Sequence, residues 1–445
     1  MIRSERSPEF GLPLRYFLAG MVAWLLLAGG TPLLAAHLVA GYDDPQVFAL
    51  THLAVLGWVT MTIMGALYQL FPVALQATVP NPGRGRWNFW IYLAGVGGFV
   101  PSFFFAWTPG IAIFGTLAVV GVVHFAVNLF HSFRSVTAWH PMAAYVLCSL
   151  IWLMVVMGFG LTWALDWQFN WFVISPGMLA AHVHAGLVGW LGCTFMGVSY
   201  KLMELFALSH RRRWRTAYTN LGIWNAALLG LVISLLLWPG SRAVVAFASV
   251  LWLSAAVFAV DLLRMWRARR RRPISLEQAH VAVSLVSLVL AASLGVLMAS
   301  GAHLQPNWVV AYGYLVVVGC FGFAIVGKYY KIIPFLTWLN RYSGKPGVIS
   351  APLLKDLFDS RLGWTGLALL VIGYAGTGVG LLKAEVWLVA VFGLVYLAGA
   401  LLDAATLGVT LLPGREVRRS ASRSSAIARG AGGEVLFKGP ADRSG

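Results

Sequence analysis

Five side chains in this 445-residue sequence have the types and spacing to do metal or redox chemistry: His52, His182, His184, Tyr312 and Tyr314. All stand inside long apolar runs, where an ionisable group is expensive and commonly faces an interior site. The plainer reading of a single such histidine is one satisfied by a helix-to-helix hydrogen bond. His182 and His184 are two residues apart, so on a helix of about 3.6 residues per turn they point about 200° apart. They cannot readily close on one ion, and a tetrahedral zinc site, which wants ligands three or four residues apart, is disfavoured. A planar macrocycle gripped between two helices needs one imidazole from each. His52 and His184 suit bis-imidazole ligation of a haem iron, with one haem b or two per chain. His182 then faces another inter-helix space, as ligand to a second haem or a copper ion, or as a hydrogen-bond acceptor. Gly57 and Gly189 are expected to leave room for the flat ring. Anionic propionates need donors, and Arg242 and Lys383 are the candidates.

Other residues carry weaker signals. His124, Asn128 and His131 form a stripe at i, i+4 and i+7. It could hold a second cofactor or relay protons, but packing is the preferred reading. His280 is expected at the interface near one end of its span. Asp403 lies well inside the last apolar run without a charged neighbour on its helix, which makes it the best proton-path candidate. Tyr312 and Tyr314 are candidate donors to a bound small molecule. The three cysteines, Cys148, Cys193 and Cys320, form no disulfide framework or zinc motif, and no CxxCH motif marks a covalently attached haem.

These residues must be positioned by helices in a membrane. The chain is 59% hydrophobic and 11% charged, against about 25% charged in an ordinary soluble domain. That excludes a soluble enzyme, a nucleic-acid-binding domain and a disordered protein. Twelve runs of spanning length are expected at 15–38, 46–72, 87–107, 109–131, 141–165, 175–205, 217–239, 243–266, 278–300, 308–335, 362–382 and 386–412. The loops alternate in charge. Of 32 Lys and Arg, only Arg242 and Lys383 fall on one side. The positive-inside rule then places both termini in the cytoplasm of a bacterial-type inner membrane, and the net charge of +17 is loop charge, with no nucleic-acid partner. No cleavable signal peptide stands out. Residues 1–14 read as a cytoplasmic N-terminus. Residues 413–445 read as a disordered polar tail, whose GGEVLFKGP resembles a protease-site linker added for expression.

Three spans share one ungapped pattern, beginning at His52, His184 and Tyr314. Each has Gly at the sixth position (Gly57, Gly189, Gly319), Gly at the fourteenth (Gly65, Gly197, Gly327) and Tyr at the seventeenth (Tyr68, Tyr200, Tyr330). The offsets are each four spans long. The expected fold is an all-α integral membrane domain, 15–412, of twelve helices in three pseudo-symmetric groups of four, about 15–131, 141–266 and 278–412. The pattern places the five chemistry-bearing residues at one depth near the outer face.

Twelve spans in three sets of four, a His in the outer third of the second span and the AHVHAGL stretch from Ala181 to Leu187 resemble subunit I of haem–copper oxidases and the related nitric oxide reductases. The resemblance in architecture covers about 15–412, and the motif match is confined to the second and sixth spans. It implies that His52 is an axial ligand of a low-spin haem, with His184 as partner through the pseudo-symmetry. Two departures stand out. The family's His-x-His lies on the tenth span, whereas here it lies on the sixth. The family also binds copper through a His on the sixth span and adjacent His on the seventh, and 217–239 has none. Ordinary four-electron oxygen reduction is therefore not expected.

The function expected from these features is that of a redox haem protein. A b-type haem near the periplasmic face would exchange electrons with a quinol, a cytochrome or another membrane subunit, or react with a small gas such as nitric oxide or oxygen. The alternative is a protein that transports or handles haem or copper. Against this, the repeat is parallel, many carriers use inverted repeats, and the twelve Met form no copper track. A non-catalytic scaffold built on the oxidase fold is the third reading.

Overall fold

A computed structural model describes residues 10–77, 81–136, 139–207, 214–269, 273–301, 305–342 and 352–412. His210, His303, residues 1–9 and the tail 413–445 lie outside these. Among the described residues the regular structure is helical, with no strand. Twelve long helices follow one another: α1 Gly11–Leu33, α2 Pro45–Leu75, α3 Pro82–Phe104, α4 Thr108–Phe133, α5 Pro141–Phe169, α6 from Pro176 to Ala207, α7 Arg215–Leu237, α8 Arg242–Arg267, α9 Leu276–Ala299, α10 Pro306–Tyr342, α11 Ser360–Lys383 and α12 Val386–Leu411. Eleven of them are long and apolar enough to cross a membrane. The other, α3, is 23 residues long and carries Arg84, Arg86 and Asn88 near its start. It begins five residues before the expected third span, because Asn81 accepts from Arg84 N–H and Pro82 occupies the first turn, a position where Pro costs no hydrogen bond. The first expected span is interrupted. α1 ends at Leu33, just after Pro32, and the chain continues as a short helix, Ala35–Ala40.

The outward faces are apolar. Leu26, Ile113, Val286 and Leu394 are each more than half exposed, a surface that only a hydrocarbon solvent would wet without penalty. Every helix packs on its neighbour in sequence, and α1 also packs on α12, which closes the arrangement into a ring. α2, α6 and α10 meet inside it. Trp190 of α6 donates to Thr60 Oγ1 of α2 (3.0 Å), and Thr62 Oγ1 of α2 lies 2.6 Å from the Tyr329 hydroxyl of α10.

Each of these three inner helices contains eight residues of π-helix: Leu53–Thr60, Ala185–Gly192 and Leu315–Gly322. The π segments start directly after His52, His184 and Tyr314. Such segments are rare, costly and frequent at functional sites. Five residues past the end of each π segment, Gly65, Gly197 and Gly327 make the same contact. A Cβ would stand 2.6 Å from Tyr16 Cβ, 2.5 Å from Tyr145 Cβ and 2.7 Å from His280 Cβ respectively. These glycines let α1, α5 and α9 approach α2, α6 and α10 closely, as small residues do in membrane helix pairs.

Candidate functional site

His52, His182, His184, Tyr312 and Tyr314 all line one cavity of about 1090 Å³, at the upper end of ligand-pocket sizes of about 300–1,000 Å³. They come to one level because α2, α6 and α10 start alike. Asp44 accepts from Gln46 N–H ahead of Pro45, Ser175 accepts from Met178 N–H ahead of Pro176, and Gln305 precedes Pro306. The chemistry then follows about two turns into each helix. Asp44 is further held by His37 Nδ1 at 2.7 Å. Burial opposes the Asp44 charge, but the bonds from His37 and Gln46 prevail and hold its carboxyl below the ordinary value.

His52 and His184 are set in the same way. His52 Nδ1 is 2.8 Å from Phe48 O, and His184 Nδ1 is 2.7 Å from Ala180 O. The backbone carbonyl one turn earlier can only accept, so each Nδ1 carries the proton and each Nε2 presents a bare lone pair, the tautomer that a metal-ligating imidazole needs. The two rings have different company. His52 stacks on Phe103, with centroids 4.9 Å apart and planes 15° apart, and meets the edge of Phe99. His184 lies over Tyr312 at 6.0 Å, with the Tyr312 hydroxyl 3.5 Å from Nε2.

His182 falls on the His52 side. Its ring packs against Trp163 of α5 at 4.8 Å, lies beside Gly160, and is within range of a direct charge–charge interaction with His52. Its Nδ1 is buried without a hydrogen-bond partner among the described residues. His182 thus lies in electrostatic range of His52, while His184 lies beside Tyr312, and all three histidines line the same cavity. The cause is the near-opposite direction of residues two apart on a helix. Tyr314 turns toward α11 and stacks on Tyr374 at 5.4 Å.

Several expectations are corrected. Gly57 and Gly189 leave no room for a flat ring. A Cβ at Gly57 would meet Ala23 and Leu53 at 3.2 Å, and one at Gly189 would meet Trp152 Cγ at 2.5 Å. They are helix-packing positions. The open wall is instead at Gly313, where a Cβ would meet nothing within 4 Å, and at Gly160, where it would meet only the His182 ring. His280, one turn into α9, is fully buried, because α9 packs on α10 there. Arg242 does line the cavity, at the start of α8, and makes no hydrogen bond or ion pair among the described residues. Lys383 does not line it; Leu381 does. The α4 stripe divides. Asn128 is buried and donates to the Tyr68 hydroxyl at 3.2 Å, while His131 is exposed and bonded to Val127 O. Asp403 is buried and accepts from the Tyr330 hydroxyl at 2.7 Å.

Among the described residues no three His, Cys, Asp or Glu come together as a metal-binding group. Two axial imidazoles do not require one. The side chains present fit a flat, apolar, iron-bearing ring: an Nε2 lone pair on His52, one on His184 that meets the Tyr312 hydroxyl at 3.5 Å, a buried nitrogen on His182, aromatic walls and a glycine-lined gap. Sequence reasoning missed the aromatic wall of Phe103 and Trp163, and it missed the π segments. The only trace of those segments in the sequence was the paired glycines at 189 and 192, and at 319 and 322. No known protein family matches the sequence, and no curated protein does.

Proposed function

We propose that this chain is a redox haem protein of the bacterial-type inner membrane, built as twelve spanning helices in three groups of four, like subunit I of the haem–copper oxidases. The reading rests on one observation: histidines from two helices, His52 and His182, face the same large apolar cavity, and the tautomer of His52 is fixed for ligation. The contacts at Gly65, Gly197 and Gly327, the three π segments and the ring of neighbouring helices all support the grouping. Both termini would lie on the cytoplasmic side, with the loops rich in Lys and Arg.

In this reading His52 and His182 would hold a b-type haem, and Phe103 against His52 and Trp163 against His182 would keep those rings in place and away from water. Arg242 is the available cation for a propionate. The haem supplies one-electron transfer, to or from a quinol or cytochrome. His184 lies beside Tyr312 in the same cavity. There Nε2 can take a copper ion or a second haem, and the tyrosine hydroxyl can donate to a small gas.

The test is an optical spectrum of the purified protein, oxidised and reduced, with a pyridine haemochrome count. A sharp low-spin spectrum from about one b-type haem per chain is expected, since two imidazoles leave no open position. A colourless protein from haem-replete membranes would overturn the reading, and copper in that protein would point to metal handling.

A further inference from the structure

The contacts at Gly65, Gly197 and Gly327 open onto three comparable clusters. In the first, the rings of Tyr16 and Tyr68 are 5.7 Å apart, Asn88 donates to the Tyr16 hydroxyl and Asn128 to the Tyr68 hydroxyl. In the second, Tyr145 and Tyr200 are 5.9 Å apart, with Asn220 accepting from Ser254. The third differs from both in its histidine, whereas a buried carboxylate, Asp261, also stands near Tyr145 in the second. His280 stands where Tyr16 and Tyr145 stand, 5.9 Å from the Tyr330 ring. Asp403 takes the Tyr330 hydroxyl, as Asn128 pairs with Tyr68 in the first cluster. On α11, Gly366 makes way for Asp403: any Cβ there would overlap its carboxylate.

His280 and Asp403 are both fully buried, and each has an atom with no hydrogen-bond partner among the described residues, His280 Nε2 and Asp403 Oδ2. His280 Nδ1 is committed to Leu276 O at 2.9 Å, so Nε2 is a bare acceptor. Buried polar atoms are rarely left so without a use. The charged or titratable groups facing the trio are Glu277 on α9, Lys328 and Tyr330 on α10, and Tyr396 on α12. α11 contributes Gly363 and Gly366, and α1 contributes Trp24, whose indole N–H is already on the Tyr396 hydroxyl. Glu277 and Lys328 form an ion pair whose lysine is 20% exposed. It lies one turn from His280 and two residues from Tyr330, near the loop rich in Arg that precedes α9.

We propose that Asp403 is a proton-binding site, loaded from the face that carries the basic loops by way of Glu277–Lys328, His280 and Tyr330. One proton moves per loading. His280 Nε2 takes a proton from the Glu277 end and returns it to the Tyr330 oxygen, as Tyr330 gives its own hydroxyl proton to Asp403. His280 and Tyr330 end as they began, and the carboxylate ends as a neutral carboxyl. Beyond Asp403, Tyr396 lies in electrostatic range of it and Tyr314 in range of Tyr396, and Tyr314 lines the cavity. The site stands whatever occupies that cavity.

Infrared spectroscopy of the full chain in liposomes tests this without any cofactor. The wild type should show the carbonyl band of a buried protonated carboxyl, shifting when deuterium enters from the basic face. Asp403→Asn, which copies the amide–tyrosine pair of the first cluster, should lose that band. His280→Tyr, which installs the residue found in the other two clusters, should slow deuterium arrival about 10²-fold, the lower end of what a positioned proton-transfer group contributes. Tyr330→Phe should do the same with the loss of one oxygen. A band absent from the wild type, a band surviving in Asp403→Asn, or unchanged exchange in both relay variants would overturn the proposal.

Discussion

His182 and His184 are separated by one residue and by almost everything that surrounds them. His184 has a committed Nδ1 and a tyrosine hydroxyl near Nε2. His182 has a nitrogen without a partner among the described residues, Trp163 against its ring and His52 in electrostatic range. A ligand pair drawn from histidines in range of each other therefore consists of His52 and His182. The expected outcome is that His52→Ala and His182→Ala each abolish the low-spin spectrum while the protein still inserts. His184→Ala should leave that spectrum in place and change only the response to added copper or nitric oxide. Loss of the spectrum in His184→Ala with retention in His182→Ala would restore the pairing that repeat position alone suggests. Residue identity was legible in the sequence. Direction was not, because two ligands at one depth can face different helices.

At the scale of the element, the helix starts carry much of the positioning, and one is acid-sensitive. His140 caps α5, its Nδ1 accepting from Met142 N–H at 3.1 Å, while Nε2 stands 3.4 Å from Glu204. Protonation of Nδ1 would break the cap. Burial, assisted by the Lys201 charge, pushes the imidazole down to about 4 from its ordinary 6.5, against the pull of Glu204. The unfolded chain thus binds this proton first, so stability is full above about pH 6.5 and is lost as pH falls toward 4. His140→Asn keeps a capping atom that does not titrate there. It should flatten the dependence of melting temperature on pH across that window in detergent; an unchanged slope would assign the acid sensitivity elsewhere. The caps were readable as Asp, Ser and Pro at the right places. The π segments were not, since an apolar run reads alike whether its carbonyls bond four or five residues on.

The whole molecule depends on closing first helix to last. Trp24 of α1 donates to the Tyr396 hydroxyl of α12 at 3.1 Å, both buried, and stacks on Trp58 of α2 at 5.7 Å. Removing the indole N–H leaves a buried hydroxyl without its donor, which costs about 1–3 kcal/mol in water-soluble proteins. The cost is nearer 1 in a bilayer, where separated helices find other partners. Trp24, Tyr396 and their Phe replacements form a double-mutant cycle, and unfolding in mixed micelles should return a coupling of about 1 kcal/mol. A coupling of zero would mean that the ring is held closed by packing alone.

By itself the sequence determined the all-helical membrane character, the approximate spans and the alternation of basic loops. All of these follow from hydrophobic length and from a rise of about 1.5 Å per residue, which neighbours do not alter. Only the tertiary structure decided which residues face one another. The azimuth of a side chain depends on crossing angle, on the π turns that begin at His52, His184 and Tyr314, and on which neighbour fills each glycine notch. For that reason Gly57 and Gly189 became contact points, His280 packs in the interior against α10, and Asp403 acquired Tyr330 as a partner 73 residues away in the chain.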